Sequence, residues 1–145
     1  MKYTSSMNTT NNSLKLILAL AKFQSITMRK FDGRLGGGLG FNDFMVLYYL
    51  SQAEGEKMRR VDLSEIIGLT ASGVTRLLVP MEKIGLVKRE TNEHDARVSY
   101  VILSEAGKRI LSERLERAEI LAEESVPQIS NTKIEEFTEF VRRLK

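Results

Sequence analysis

Along most of the chain apolar residues recur at spacings of three and four, and in one short interval they alternate with polar ones. After Ser13, a residue type that caps helix N-termini, Leu14, Ile17, Leu18 and Ala21 share one helical face. Leu16, Leu20 and Phe23 widen that face until the helix is apolar around much of its girth, so it needs cover on more than one side. Five glycines between Asp32 and Gly40 predict a flexible hinge that ends this helix, because glycine loses the most backbone entropy on becoming ordered. Phe44, Leu47 and Tyr48 predict a second helix, ended by the polar run Glu54 to Lys57. Leu63, Ile66 and Ile67 mark a short third helix closed by Gly68, whose missing Cβ suits a left-handed C-terminal turn.

Thr70 caps the next helix, with Val74, Leu77, Leu78, Met81 and Ile84 on its inner face and Ser72, Thr75, Arg76 and Lys83 on its outer one. Pro80 removes the bond to the Arg76 carbonyl, so a kink is expected near Val79. Beyond Gly85 the segments Leu86 to Glu90 and Val98 to Leu103 predict a hairpin whose loop is Thr91 to Ala96. Ser104 caps a long helix with Leu111, Leu115, Ala118 and Ala122 in near-heptad spacing, and Pro127 stops it. A last helix carries Ile134, Phe137, Val141 and Leu144.

This order of elements is a mainly α fold with a small β-hairpin wing (α+β), a winged helix-turn-helix flanked by N- and C-terminal helices. Residues 1–12, rich in Ser, Thr and Asn, are expected to be a flexible tail, and residues 13–145 a single domain. A winged core needs only its own three helices and hairpin, so the apolar faces of the terminal helices are left without partners. The expectation is a homodimer, with dimerisation helices at about 13–31 and 104–145 and the DNA-binding part at about 41–103.

Composition then removes several alternatives. With 145 residues, 42% of them hydrophobic, the chain can bury one sizeable core. No cysteine is present, which excludes thiolate catalysis, disulfides and cysteine-ligated zinc. The longest apolar run, Leu16 to Ala21, is far short of a membrane span, so a cytoplasmic location without membrane contact is expected. His94 is the single histidine, and pairs such as Glu123 with Glu124 are the wet faces of helices. No nucleophile stands beside a base, and glycines 36 to 38 lack the lysine of a phosphate-binding loop. Neither an enzyme nor a cofactor or metal is therefore expected.

Charge is modest overall, at a formal +3, but it is placed. From Lys57 to Arg109 there are 10 basic and 7 acidic residues, net +3, whereas Ile110 to Lys145 has 6 and 8, net −2. In a winged helix-turn-helix the second helix enters the major groove, where Ser72, Thr75 and Arg76 could approach base edges. Lys88 and Arg89 at the base of the hairpin and Arg97 beside its tip could reach phosphates or a minor groove.

These residues together resemble the multiple antibiotic resistance regulators, the MarR family. The sharpest stretch is Asp62-Leu63-Ser64, then Thr75-Arg76, Met81 to Arg89, Asp95-Ala96-Arg97, and Val101 to Ser104 with Gly107. The resemblance implies a transcription regulator, a repressor released by a small aromatic or anionic effector, dimeric on a pseudo-palindromic operator in double-stranded DNA. It implies that Arg97 inserts into the minor groove, that Asp95 orients the basic residues of the wing, and that an effector lies between dimer helices and winged domain, near Phe23, Arg29 and Tyr48. Met81, where the family usually has Leu, and Pro80 depart from its pattern. The alternative is a winged-helix module that binds protein and not DNA.

Overall fold

Asn11, not Ser13, caps the first helix, its Oδ1 accepting the Leu14 N–H at 2.9 Å. The computed structural model describes residues 11–95 and 97–145. Helix α1 (Asn12–Arg34) therefore begins inside the tail expected over 1–12, the first ten residues of which lie outside the described residues.

The expected glycine hinge is corrected in two ways. Gly33 lies inside α1, and the segment that follows is pinned by Leu35 and Leu39, which are buried at 1% and 4% exposure. Burying two leucines offsets the entropic cost of ordering the glycines between them, at about 1.5 to 3 kcal/mol for each side chain. Gly36, Gly37 and Gly38 take φ of 83°, 67° and 73°, the left-handed region where a Cβ is strained. The glycine run is thus anchored on both sides by buried leucines.

Helix α2 (Phe41–Gln52) starts where the Phe41 N–H reaches Asp32 Oδ1 at 2.7 Å and the Gly40 N–H reaches Asp43 Oδ2 at 2.9 Å. Burial pushes the Asp43 carboxyl above its usual range, the Gly40 N–H opposes that shift, and the Asp32 charge adds to it. After a 3₁₀ turn (Glu54–Glu56) comes strand β1 (Lys57–Arg59), which the sequence pattern does not announce. Three residues are too few to show a period.

Helix α3 (Arg60–Ile67) ends at Gly68, whose φ of 70° makes the predicted left-handed turn. Helix α4 (Ala71–Lys83) contains Pro80 and continues past it for three residues. Its buried face is Val74, Leu78 and Met81, but Ile84, expected on that face, follows the helix and is 70% exposed. Strands β2 (Val87–Thr91) and β3 (Ser99–Leu103) form the hairpin, with Val87 opposite Leu103 and Thr91 opposite Ser99. Because β1 also pairs with β3, Met58 opposite Val101, the wing is a three-stranded antiparallel sheet in the order β1-β3-β2.

Ser104 joins wing to helix: its N–H reaches the Leu86 carbonyl at 3.2 Å, its hydroxyl lies 2.6 and 2.8 Å from the Gly85 and Leu86 carbonyls, and its Oγ caps α5 (Glu105–Ser125) by accepting the Gly107 N–H at 3.0 Å. Leu111, Ala118 and Leu121 of α5 pack into the core with Phe31 of α1 and Leu47 and Leu50 of α2. Lys30 and Arg34 of α1 meet Glu124 of α5 at 3.4 and 2.9 Å, and Arg117 Nε donates to the Arg34 carbonyl at 3.0 Å. Such solvent-facing pairs set the approach of two helices more than they stabilise it.

Helix α6 (Asn131–Arg142) buries no residue. On it and just beyond it Phe137, Phe140, Val141 and Leu144 are exposed, as are Leu14, Ile17, Leu18, Phe23 and Ile26 on the N-terminal part of α1. The surplus apolar surface expected at the two chain ends is therefore present. Among the described residues no helix is long and apolar enough to cross a membrane.

Candidate nucleic-acid interface

The turn between α3 and α4 is built by local bonds. Leu69 N–H reaches the Ser64 carbonyl at 3.1 Å, and Ser64 Oγ donates back to the Leu69 carbonyl at 2.6 Å. Thr70 Oγ1 then accepts the Gly73 N–H at 3.1 Å, as its cap role requires. With Val74 and Leu78 turned inward, helical periodicity turns Ser72, Thr75 and Arg76 outward, and all three are exposed. The sequence thus places the proposed base-reading side chains correctly on the solvent face.

The wing adds a second ridge. Beyond Val87, Lys88 to Thr91 of β2 are exposed, since little of the molecule packs on either face of the hairpin there. Asn92 Oδ1 accepts the N–H groups of His94 and Asp95 at 2.8 and 3.2 Å, closing the turn, and the Val98 N–H returns to the Asp95 carbonyl at 3.0 Å.

Asp95 Oδ1 accepts from the Arg97 backbone N–H at 3.0 Å and from Arg97 Nε at 3.2 Å. The Arg97 backbone N–H, then its side chain, hold the Asp95 carboxyl below its usual range. The Arg97 side chain is itself 92% exposed, so Asp95 aims a guanidinium whose far end remains free for a ligand. Arg89 goes elsewhere: its Nε faces Glu82 Oε1 at 3.5 Å, and Asp95 does not hold it.

Between α3, the first half of α4 and the loop end of the wing lies a cleft of about 450 Å³ lined by Arg59, Arg60, Ser64, Thr75, Arg97 and Ser99, among others. Three arginines from two separate parts of the chain thus share one concavity with Thr75. Sequence reasoning missed Arg59 and Arg60. The available signal was a basic pair at the start of the first helix of the helix-turn-helix, but its value depends on β1, which sets Arg59 opposite Tyr100 of β3.

A second cavity, of about 380 Å³, lies among α1, α2 and α5. Phe23, Thr27, Phe31, Phe44, Tyr48 and Leu115 are part of its lining, so two of the three residues expected near an effector share one cavity. Arg29 does not line this cavity. Phe23, Thr27 and Phe31 follow each other at intervals of four on α1, and Arg29, two residues from Thr27, points to the other side. Among the described residues the one charged residue in the lining is Glu119.

Comparison with known proteins agrees with this geometry. Residues 37–98, which hold the turn, α4 and most of the wing, match the model of the MarR family. The chain is 26% identical over 107 residues to the transcriptional repressor MprA of Escherichia coli K12, covering 72% of this chain. It spans only 61% of that relative's length. The transcriptional regulator BldR from Sulfolobus solfataricus superposes with a TM-score of 0.78 at 26% identity, covering 91% of this chain and 96% of BldR. Sco3205, a MarR family regulator from Streptomyces coelicolor solved in complex with DNA, has a TM-score of 0.74 at 19% identity over 88% of this chain and 79% of its own, a likeness of fold.

Proposed function

We propose that this chain, which belongs to the MarR family, acts as a sequence-specific regulator of transcription that binds double-stranded DNA as a homodimer. The observation that carries the reading is the pairing of two exposed ridges: Ser72, Thr75 and Arg76 on α4, and on the wing an Arg97 guanidinium directed by Asp95. The helix is shaped for a major groove, and an oriented, unshielded guanidinium suits a narrow, strongly negative minor groove beside it. Exposed Lys88 and Arg89 on β2, whose side chains alternate across the strand, add positive charge that phosphates can meet. The apolar faces of α1 and α6 would be covered by a second copy, which presents two such units to a pseudo-palindromic operator.

Repression released by a small molecule is the mode we favour, with the α1, α2 and α5 cavity as its binding place. Phenylalanine walls and Tyr48 suit an aromatic compound, whereas Glu119 and the absence of Arg29 from the lining disfavour an anionic group there. Because α2 and α5 both pack on the winged core, an occupant could shift the spacing of the two recognition helices.

Exposed Val61 and Ile66 on α3 favour a second reading, a winged module that binds protein. A salt titration separates the two. Duplex affinity should fall steeply between about 50 and 200 mM salt through counterion release, while an apolar protein contact should change little. Failure to bind any duplex at low salt would overturn the first reading.

A further inference from the structure

Thr75 is held by two hydrogen bonds within the protein. Its Oγ1 donates to the Ala71 carbonyl one turn back at 3.1 Å and accepts from Arg60 Nη2 at 2.6 Å. A hydroxyl has one hydrogen and two lone pairs, and a guanidinium only donates. The hydrogen is therefore committed to Ala71 and one lone pair to Arg60, so a ligand of Thr75 meets a single free lone pair and the γ-methyl group.

We infer that Arg60 is a specificity-setting residue, which fixes Thr75 as an acceptor toward DNA and thereby decides the class of base read at that position. The inference rests on the DNA-binding reading above. In the major groove an acceptor is matched by the exocyclic amino group of adenine or cytosine, and a methyl group packs on the thymine methyl. Guanine presents two acceptors there and offers Thr75 no donor. Arg60 comes from the start of α3, 15 residues before Thr75, and both line the cleft that Arg59 and Arg97 share. Without it the Thr75 hydroxyl is free to rotate away from Ala71 and donate, which admits guanine.

The test is selection of binding sites from a randomised duplex pool by the full chain and by Arg60→Ala, Arg60→Lys, Thr75→Val and the double variant Arg60→Ala with Thr75→Val. Circular dichroism and thermal melting confirm folding of each. The parent is expected to exclude guanine at one position in each half-site. Arg60→Ala should reduce that exclusion by about fivefold, the worth of one neutral hydrogen bond, with other positions unchanged. Arg60→Lys, which keeps a donor, should restore it in part. In the Thr75→Val background, where the hydroxyl is gone, removing Arg60 should leave base frequencies as they were.

A uniform loss of affinity in Arg60→Ala with parental base frequencies would overturn the inference and make Arg60 a phosphate contact. An equal change in the Thr75→Val background would also overturn it, since the effect would not pass through the hydroxyl. If Arg60→Ala does not fold, the comparison of Arg60→Lys with the parent decides, because a fall in overall affinity with no change at any base again overturns it. If the parent itself enriches no sequence, the DNA-binding reading fails, which is a separate result.

Discussion

Replacement of Arg97 by Ala isolates the contribution of the wing. The side chain is 92% exposed and its one ion pair is with the partly exposed Asp95, so its removal uncovers no core and leaves no buried charge unpaired. Melting temperature and oligomeric state should match the parent. If each guanidinium displaces about one counterion, the slope of log affinity against log salt falls by about 0.9 per subunit, or about 1.8 for a dimer. Over a change from about 50 to 200 mM salt, that slope difference makes the variant's affinity fall roughly tenfold less than the parent's. Fluorescence anisotropy with a labelled duplex at four salt concentrations measures this directly. The loss at low salt should be shared by specific and unrelated duplexes, because groove width and not base identity is read there. A parental slope, with fold and dimer unchanged, would refute the wing's contact with DNA.

The pairing that orients Arg97 also has a pH signature. The Asp95 carboxyl is held below its ordinary value, so the contact is present above that value and is lost only as pH falls through the depressed one. The affinity difference between parent and Arg97→Ala should then be flat from about pH 5 to 8, and a change inside that window would count against the assignment. Gly107→Ala tests the joint between wing and long helix. Helix propensity alone predicts a gain of about 1 kcal/mol, but the new Cβ meets the Leu86 carbonyl and lies 2.8 Å from Leu103 Cδ1. That carbonyl is held by the Ser104 N–H, and the Ser104 hydroxyl is shared between it and the Gly85 carbonyl. Overpacking should therefore win, with a net loss of about 2 kcal/mol and a melting point lower by about 4 to 8 °C in calorimetry; a raised melting point would refute it. Leu115→Glu places a charge at a 39%-exposed leucine beside the apolar cavity and the unpartnered face of α1. Sedimentation equilibrium should show the parent dimeric at micromolar concentration and the variant dissociated, with weaker duplex binding because two half-sites are no longer linked. A monomeric parent would remove the dimer from the proposal.

Local chemistry was legible in the sequence wherever one residue type does one job. Thr70 and Ser104 cap helices because a short side-chain oxygen can reach an orphan N–H, and both do so in the structure. Gly68 turns left-handed as its missing Cβ allows, and the 3.6-residue period of α4 puts Ser72, Thr75 and Arg76 outside once Val74 and Leu78 are inside. The pairing of Asp95 with Arg97 spans two residues, so a turn alone can bring them together. Tertiary packing decided the rest. The glycine-rich segment is anchored because Leu35 and Leu39 find a core, which composition cannot show, and Arg29 misses the cavity because the angle of α1 against α2 and α5 selects which stripe faces it. Arg60 acquires its meaning only when α3 lies across α4, since a hydrogen bond between residues 15 positions apart is set by the packing of two helices and leaves no period in the chain.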